Sequence, residues 1–157
     1  MNLPVGKTIE RDLKLSKVDK KKILTDLFDG LFTGYIVLTV EGKTGIEEGL
    51  LLFEKGELKG SIFEEISKEN ELMGDIALIK SMNAFAAKEG IIDVNSLTKQ
   101  QVELIIAFQE NILITKTTKA EELIKLIPKT YDSIKKENKK ETKIDIFKKI
   151  GLLGMEK

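Results

Sequence analysis

Two Gly-Lys-Thr triplets are the first residues whose types and spacing could do chemistry. Gly6-Lys7-Thr8 and Gly42-Lys43-Thr44 match the end of a phosphate-binding loop. Such a loop also requires a glycine five residues before the triplet's own glycine, and a helix after the threonine. Neither triplet has that glycine, and Val37 stands at the position before the second one. We therefore predict turns at both triplets and no nucleotide site.

Carboxylates are the second candidate chemistry. An acidic cluster over 64–75 could hold a hard cation, and its members are Glu64, Glu65, Glu69, Glu71 and Asp75. Calcium loops alternate oxygen ligands around a central glycine, and the cluster lacks that pattern. We expect a solvated surface there. The neighbouring Glu47 and Glu48 point to opposite faces of a predicted strand, so they cannot form a joint acid–base pair.

The composition argues against most catalytic machinery. The chain has 157 residues with no His and no Cys, and its 26 basic and 26 acidic residues balance. Imidazole and thiolate are the usual general base, nucleophile and transition-metal ligands near neutral pH. Arg11 is the single arginine, so bidentate guanidinium binding of phosphate is nearly absent. We predict a chain that is not an enzyme and that needs no cofactor and no metal.

The middle of the chain has the alternation of an antiparallel sheet. A helix is predicted to begin at Ser16 and to run until the period changes at Gly34. Strands are then predicted over 35–41, 46–54 and 58–66, because glycines between them accept the positive φ of tight turns. Residues 50–53 are apolar on both faces, which predicts a central strand.

Helices are predicted to follow the strands. Residues 71–88 are apolar nearly all round, which predicts a helix that is deeply buried or that lies in a homo-oligomer interface. Thr98 with Gln101, and Thr118 with Glu121, have capping-box spacing, and Pro128 is expected to kink the last helix. A short strand over 91–94 is also expected. The predicted core contains Leu52, Phe53, Ile76, Ile79, Phe85 and Ile105.

These elements predict an α+β fold with about three to five antiparallel strands and about four helices. We predict a globular domain over 1–134. Residues 135–143 read KKENKKETK and have no apolar side chain, so they are interpreted as a lysine-rich linker. Residues 144–157 regain apolar side chains and form a tethered amphipathic segment. Residues 129–157 hold nine lysines against five acids, whereas 1–128 carry a net charge of −4.

The tethered segment is the predicted partner-binding element. Ile144, Phe147, Ile150 and Leu153 supply its apolar side chains, and lysines lie opposite Phe147 and Ile150. This is the pattern of a short segment that lies in a groove of another protein. The pattern leaves open whether the segment binds its own domain or a separate partner.

Several stretches carry a resemblance to a known family. They are LPVGK at the start, the hairpin block over 34–65, GDIALI over 74–79, and GIIDVNSLTKQQVELIIAFQEN over 90–111. Over residues 1–114 the chain resembles an uncharacterised archaeal family known only as a domain of unknown function. The hairpin block also resembles, at a weaker level, regulatory domains of the PATAN type. These resemblances imply a cytoplasmic, archaeal-type protein with a non-enzymatic role.

The leading functional hypothesis is a protein-interaction or regulatory adaptor with an unidentified protein partner. The alternative is a factor associated with nucleic acid or the ribosome, which would use the lysine-rich C-terminal region. No stretch of about 18 apolar residues exists, so no membrane span is predicted.

Overall fold

A six-stranded antiparallel sheet lies at the centre of the structure. The computed structural model describes residues 2–116 and 118–131. Its strands are β1 (Lys7–Lys14), β2 (Gly34–Gly42), β3 (Gly45–Glu54), β4 (Glu57–Glu65), β5 (Asn70–Met73) and β6 (Ile91–Ser96). Their order across the sheet is β1-β6-β2-β3-β4-β5. The chain therefore builds β2 to β5 as a meander and later inserts β6 between β1 and β2.

Tight turns set the register of the meander. Gly42 pairs with Gly45, which leaves Lys43-Thr44 as a two-residue connection. At the next turn Lys55 and Gly56 have φ values of 49° and 74°. Two consecutive positive φ values give the turn a twist that matches the flanking strands. The three strands predicted over 35–41, 46–54 and 58–66 are confirmed to within two residues at either end.

The sheet is larger than predicted. The strand expected over 91–94 is present as β6, and β1 and β5 bring the total in the described residues to six. The central position predicted for residues 50–53 is confirmed, since β3 pairs with β2 on one side and β4 on the other. The α+β class is also confirmed.

Four α-helices accompany the sheet in the described residues: α1 (Lys20–Asp29), α2 (Asp75–Ala84), α3 (Lys99–Phe108) and α4 (Ala120–Lys125). Single 3₁₀ turns lie at Ile66–Lys68 and Glu110–Ile112. The first helix begins later than predicted. Asp19 caps it by accepting a 3.1 Å hydrogen bond from the Lys22 amide, whereas Ser16 lies before it.

The helix predicted over 71–88 is wrong at its start. Residues Asn70–Met73 form β5, which pairs with β4, and α2 starts only at Asp75. Gly74 separates the two elements with φ 77°, a conformation that interrupts a helix. Leu72 and Met73 precede Gly74-Asp75 and the apolar run 76–79 follows it, and a short apolar pair of this kind cannot by its pattern alone be assigned to a strand or a helix.

The last predicted helix is also shorter than expected. Its second capping box is absent, because Thr118 donates to the Lys116 carbonyl and Lys119 occupies the cap position without a side-chain bond. The helix α4 ends at Lys125, before Pro128, so the proline follows the helix rather than kinking it.

Helices cover the two faces of the sheet unequally. Face A, which includes Ile36, Leu38, Leu51, Phe53 and Phe63, packs against α1, α2 and α4. Face B, which includes Tyr35, Leu50, Leu52 and Ile62, packs against α3 and the 3₁₀ turn after it.

Five of the six predicted core residues are buried: Leu52, Phe53, Ile79, Phe85 and Ile105. Ile76 is half-buried instead, since it lies in the first turn of α2 beside a surface cavity that Leu113 also lines. Most of α2 is buried inside the chain against face A. Self-association through this helix therefore stays a prediction. Few side chains of α2 are exposed and could contact a second copy.

Candidate interaction surface

A capping box fixes the start of α3 on face B. The Thr98 side chain accepts a hydrogen bond from the Gln101 amide at 3.1 Å, and the Gln101 side chain accepts one from the Thr98 amide at 2.9 Å. This confirms the predicted box. On the inner side of the helix Val102 and Ile105 are buried among the face B residues. The amphipathic pattern therefore decides which side of α3 faces water.

The outer side of α3 carries large apolar side chains in water. Phe108 is 83% exposed and Leu104 is 53% exposed. They are four residues apart, so they lie next to each other on one side of the helix, and the exposed Ala107 lies between them. We call Leu104, Ala107 and Phe108 the α3 stripe. An exposed apolar group of this kind is typical of an interaction site.

Acidic side chains border the α3 stripe. Glu103 and Glu110 are exposed, and Lys99 lies 3.8 Å from Glu103. Such a surface pair is screened by water and contributes little to stability. Its charges still influence which partner can approach, because charge complementarity governs encounter and register.

A row of carboxylates lies at the other end of face B. Glu48, Glu64 and Glu71 stand directly opposite one another on β3, β4 and β5. Partial burial, and then the negative charge of Glu64, raises the pKa of Glu48 above its ordinary value. Face B thus combines the apolar α3 stripe with a concentration of negative charge.

The Gly-Lys-Thr triplets and the Glu47-Glu48 pair, which the sequence offered as candidates for chemistry, do not form a site in the structure. Gly42-Lys43-Thr44 forms the turn between β2 and β3, and Lys7 and Thr8 open β1, so neither triplet precedes a helix. The opposite orientation of Glu47 and Glu48 is confirmed. Glu47 lies 6% exposed and accepts a hydrogen bond from the Tyr131 hydroxyl, while Glu48 lies on face B.

The acidic cluster over 64–75 is likewise divided. Glu65 lies 3.3 Å from Lys68, and the Asp75 carboxylate accepts hydrogen bonds from the amide and hydroxyl of Thr115. In residues 2–116 and 118–131 no three His, Cys, Asp or Glu side chains converge in a way that could hold a metal ion.

A wide cleft lies where the described chain ends. Its volume is about 1040 Å³, and Lys129, Thr130 and Tyr131 form one wall of it. Thr39 and Ile91 also line it. Both lie on the face B side of their strands, in register with the acidic row through Glu48. Tyr131 itself packs against the face A cluster, so the described chain ends on the face A side of this end of the sheet.

The predicted partner-binding residues Ile144, Phe147, Ile150 and Leu153 lie outside the described residues, as does the linker over 135–143. The domain prediction over 1–134 stays a prediction for the same reason. Within the described part, no helix combines the length and apolar character needed to cross a membrane.

Sequence reasoning missed the α3 stripe. It placed Ile105 in the core and left Leu104 and Phe108 without a role. A signal was present, because six of the seven residues over 102–108 are apolar. One buried face of a ten-residue helix cannot hold them all, so some had to face solvent.

The fold is a helix-covered antiparallel sheet of the α+β class, and one comparison assigns its family. The family model DUF2226, described as an uncharacterized protein conserved in archaea, matches residues 1–109. The chain belongs to this family, as the resemblance over residues 1–114 predicted. No curated protein and no solved structure matches the chain. The PATAN-type resemblance stays a prediction.

Proposed function

We propose that this chain is a non-enzymatic protein-interaction or regulatory adaptor that works in an archaeal-type cytoplasm. The observation that carries the proposal is the α3 stripe, in which Phe108 is 83% exposed one helical turn from Leu104. A few large apolar side chains usually supply most of the binding energy of an interface. The α3 stripe offers such anchors on a helix whose position is fixed by its cap and by its buried side.

The stripe costs free energy in the isolated chain, which supports a binding role. Moving apolar surface from water into a partner is favourable by about 25 cal/mol per Å². A phenylalanine and a leucine side by side in water therefore gain from any partner that covers them. Single exposed apolar residues are common, but two adjacent large ones with small Ala107 between them form a patch.

The C-terminal segment is the second proposed docking element. Ile144, Phe147, Ile150 and Leu153 provide its apolar anchors in the sequence. In this proposal the described domain serves as a scaffold, and the adaptor has two apolar elements connected by the lysine-rich linker.

Quantitative affinity purification with isotope labelling tests the proposal. The full chain is compared with Leu104→Ala/Phe108→Ala, and with Val5→Ala/Ile9→Ala as a matched control. Val5 and Ile9 are 71% and 52% exposed, so the control removes similar apolar surface elsewhere. We expect a partner to be retained by the control and lost by the α3 variant. Equal retention by both variants would exclude the α3 stripe as the binding site.

A nucleic-acid or ribosome-associated role is the second proposal. It is favoured by the nine lysines against five acids over residues 129–157. The acidic row of face B would repel phosphate, so this role relies on the C-terminal region. Binding to RNA should then fall steeply with salt, because counterions are released from phosphate. Apolar docking should change little over the same salt range.

A further inference from the structure

The size of the α3 stripe indicates what kind of molecule can cover it. Taking each large side chain at about 200 Å², the exposed parts of Phe108 and Leu104 amount to roughly 270 Å². Stable interfaces between globular proteins bury about 800 Å² on each partner. A second globular copy would also have to bury the polar surface around the stripe, whereas a short segment with two or three apolar anchors needs the stripe alone.

The charge around the α3 stripe further restricts which molecules can bind there. Glu103 and Glu110 border the stripe, and face B also carries the acidic row of Glu48, Glu64 and Glu71. Residues 1–128 as a whole hold 17 basic and 21 acidic residues. A basic segment is attracted by this field, and an acidic segment is repelled.

The chain itself contains a segment of this chemistry. Phe147 and Ile150 are apolar anchors three residues apart, and Lys148 and Lys149 lie between them in the sequence. The lysine-rich stretch over 135–143 precedes them. With nine lysines and five acids, residues 129–157 carry a charge opposite to that of the rest of the chain.

The connecting chain is long enough for binding within one molecule. Twelve residues separate Tyr131 from Ile144, and they span up to about 40 Å when extended. A domain of this length has a diameter of roughly 35 Å, estimated from its radius of gyration. Tyr131 packs against the face A cluster, and Thr39 and Ile91, which line the cleft beside it, lie on the face B side of β2 and β6. The segment can therefore reach α3 around the end of the sheet.

We propose that residues 144–153 bind the α3 stripe of the same chain, with Phe147 and Ile150 against Leu104 and Phe108. A connection of this length gives an effective concentration in the millimolar range, so binding within the chain is favoured over binding between dilute chains. This inference rests on the proposed function and adds its regulation. A protein partner of the adaptor has to displace the segment before it reaches the stripe.

Disulfide trapping in the full chain tests the inference, because the chain has no native cysteine. Ala107→Cys is combined with Gly151→Cys, and the oxidation rate at low protein concentration is compared with that of Lys21→Cys/Gly151→Cys. Lys21 is exposed on α1, against the opposite face of the sheet, so the control pair measures random tether collisions. We expect the Ala107→Cys pair to close at least about tenfold faster, as a monomer, and Phe147→Ala to abolish the difference.

Equal rates for the two pairs would overturn the inference. A crosslinked dimer whose formation depends on protein concentration would also overturn it, and would assign the stripe to the segment of a second copy. The purification experiment with Leu104→Ala/Phe108→Ala separates this result from the proposed function. Loss of a partner there, together with equal crosslinking rates here, leaves the adaptor proposal standing and rejects the intramolecular contact.

Discussion

The two faces of the sheet differ in how many buried hydrophobic residues pack against them. Among the described residues, face A and its helices hold nineteen buried hydrophobic residues in one cluster, whereas face B and α3 hold eight. On face A, Phe53 packs edge-on against Phe28 with ring centroids 5.4 Å apart. On face B, α3 is the one α-helix of the described residues that packs on the sheet, and Leu104 and Phe108 on its outer side are exposed. This contrast suggests that face A carries most of the stability and that face B carries the interaction surface.

The sharpest way to break this comparison uses one chemical change at two sites. Phe85 is 0% exposed within the face A cluster, and Phe108 is 83% exposed on the α3 stripe. Phe85→Ala should lower the free energy of unfolding by about 3–5 kcal/mol, because it removes buried apolar contacts and leaves a cavity. Phe108→Ala should change it by no more than about 0.5 kcal/mol. Denaturant unfolding of both variants measures the difference, and similar losses would contradict the comparison.

Two glycines test how closely each face is packed. A methyl group at Gly49 would lie 2.7 Å from the Ser81 hydroxyl of α2, and one at Gly60 would lie 2.6 Å from the Ile112 carbonyl oxygen. Each Gly→Ala change should cost about 1–3 kcal/mol, since the neighbouring backbone has to move. Thermal unfolding measures the cost. A Gly60→Ala variant as stable as the parent would show that the turn Glu110–Ile112 does not rest tightly on β4.

The N-terminal caps of α1 and α3 allow a second comparison of the two faces, with smaller expected losses of stability. Asp19 caps α1 on face A, and Thr98 caps α3 on face B. Replacing either residue by Ala should cost about 1 kcal/mol, because a helix amide loses its hydrogen-bond partner. Amide hydrogen exchange should then show increased opening confined to the helix concerned. Increased exchange in the core strands of both faces would instead indicate one cooperative unit.

The smallest expected effect is electrostatic. The pKa of Glu48 is raised by burial and by Glu64, so the charged form is disfavoured in the folded state relative to the unfolded one. Glu48→Gln should therefore stabilise the chain at pH 7. Because the side chain is only half-buried, we expect less than about 1 kcal/mol.

The pH dependence of the stability gained by Glu48→Gln tests the direction of the pKa shift. As the pH falls from 7 through the raised pKa toward the ordinary value of 4.5, the native carboxyl takes up a proton and its penalty disappears. The advantage of Glu48→Gln over the parent should shrink in parallel. Glu41→Gln, at an exposed position on β2, serves as the control. An advantage for Glu48→Gln that grew on acidification would contradict the assigned cause.

The sequence predicted the centre of the sheet well because its signals were local. Alternating apolar residues and glycine turns define β2 to β4 without help from distant residues. The failures came where pairing partners decide the structure. Leu72 and Met73 became strand residues because they pair with Phe63 and Ile62, and the sequence around Gly74 does not by itself reveal that pairing. For residues 1–15 the sequence predicted an irregular or short-strand opening, and β1 is an eight-residue strand because β6 pairs with it.

The candidate site was less predictable than the fold. A hydrophobic pattern reports how many residues avoid water, but not which of them the rest of the chain succeeds in covering. For α3 the inner side was assigned correctly, and Leu104 and Phe108 became a surface only because no other described helix packs over face B. The residues of the tethered segment were chosen from sequence alone and stay a prediction.

The pairing of β1 with β6 has a consequence for synthesis. The Lys7 carbonyl of β1 lies beside Ser96 of β6, 89 residues further along the chain. At about 5–20 residues per second, β1 leaves the ribosome roughly 4–18 s before its partner strand exists. During that time the backbone N–H and C=O groups of β1 have no partner strand. Unpaired strands aggregate unless charged side chains oppose it. The sequence KTIERDLK has five charged residues in eight, so β1 carries the charges that oppose aggregation while its partner strand is still being synthesised.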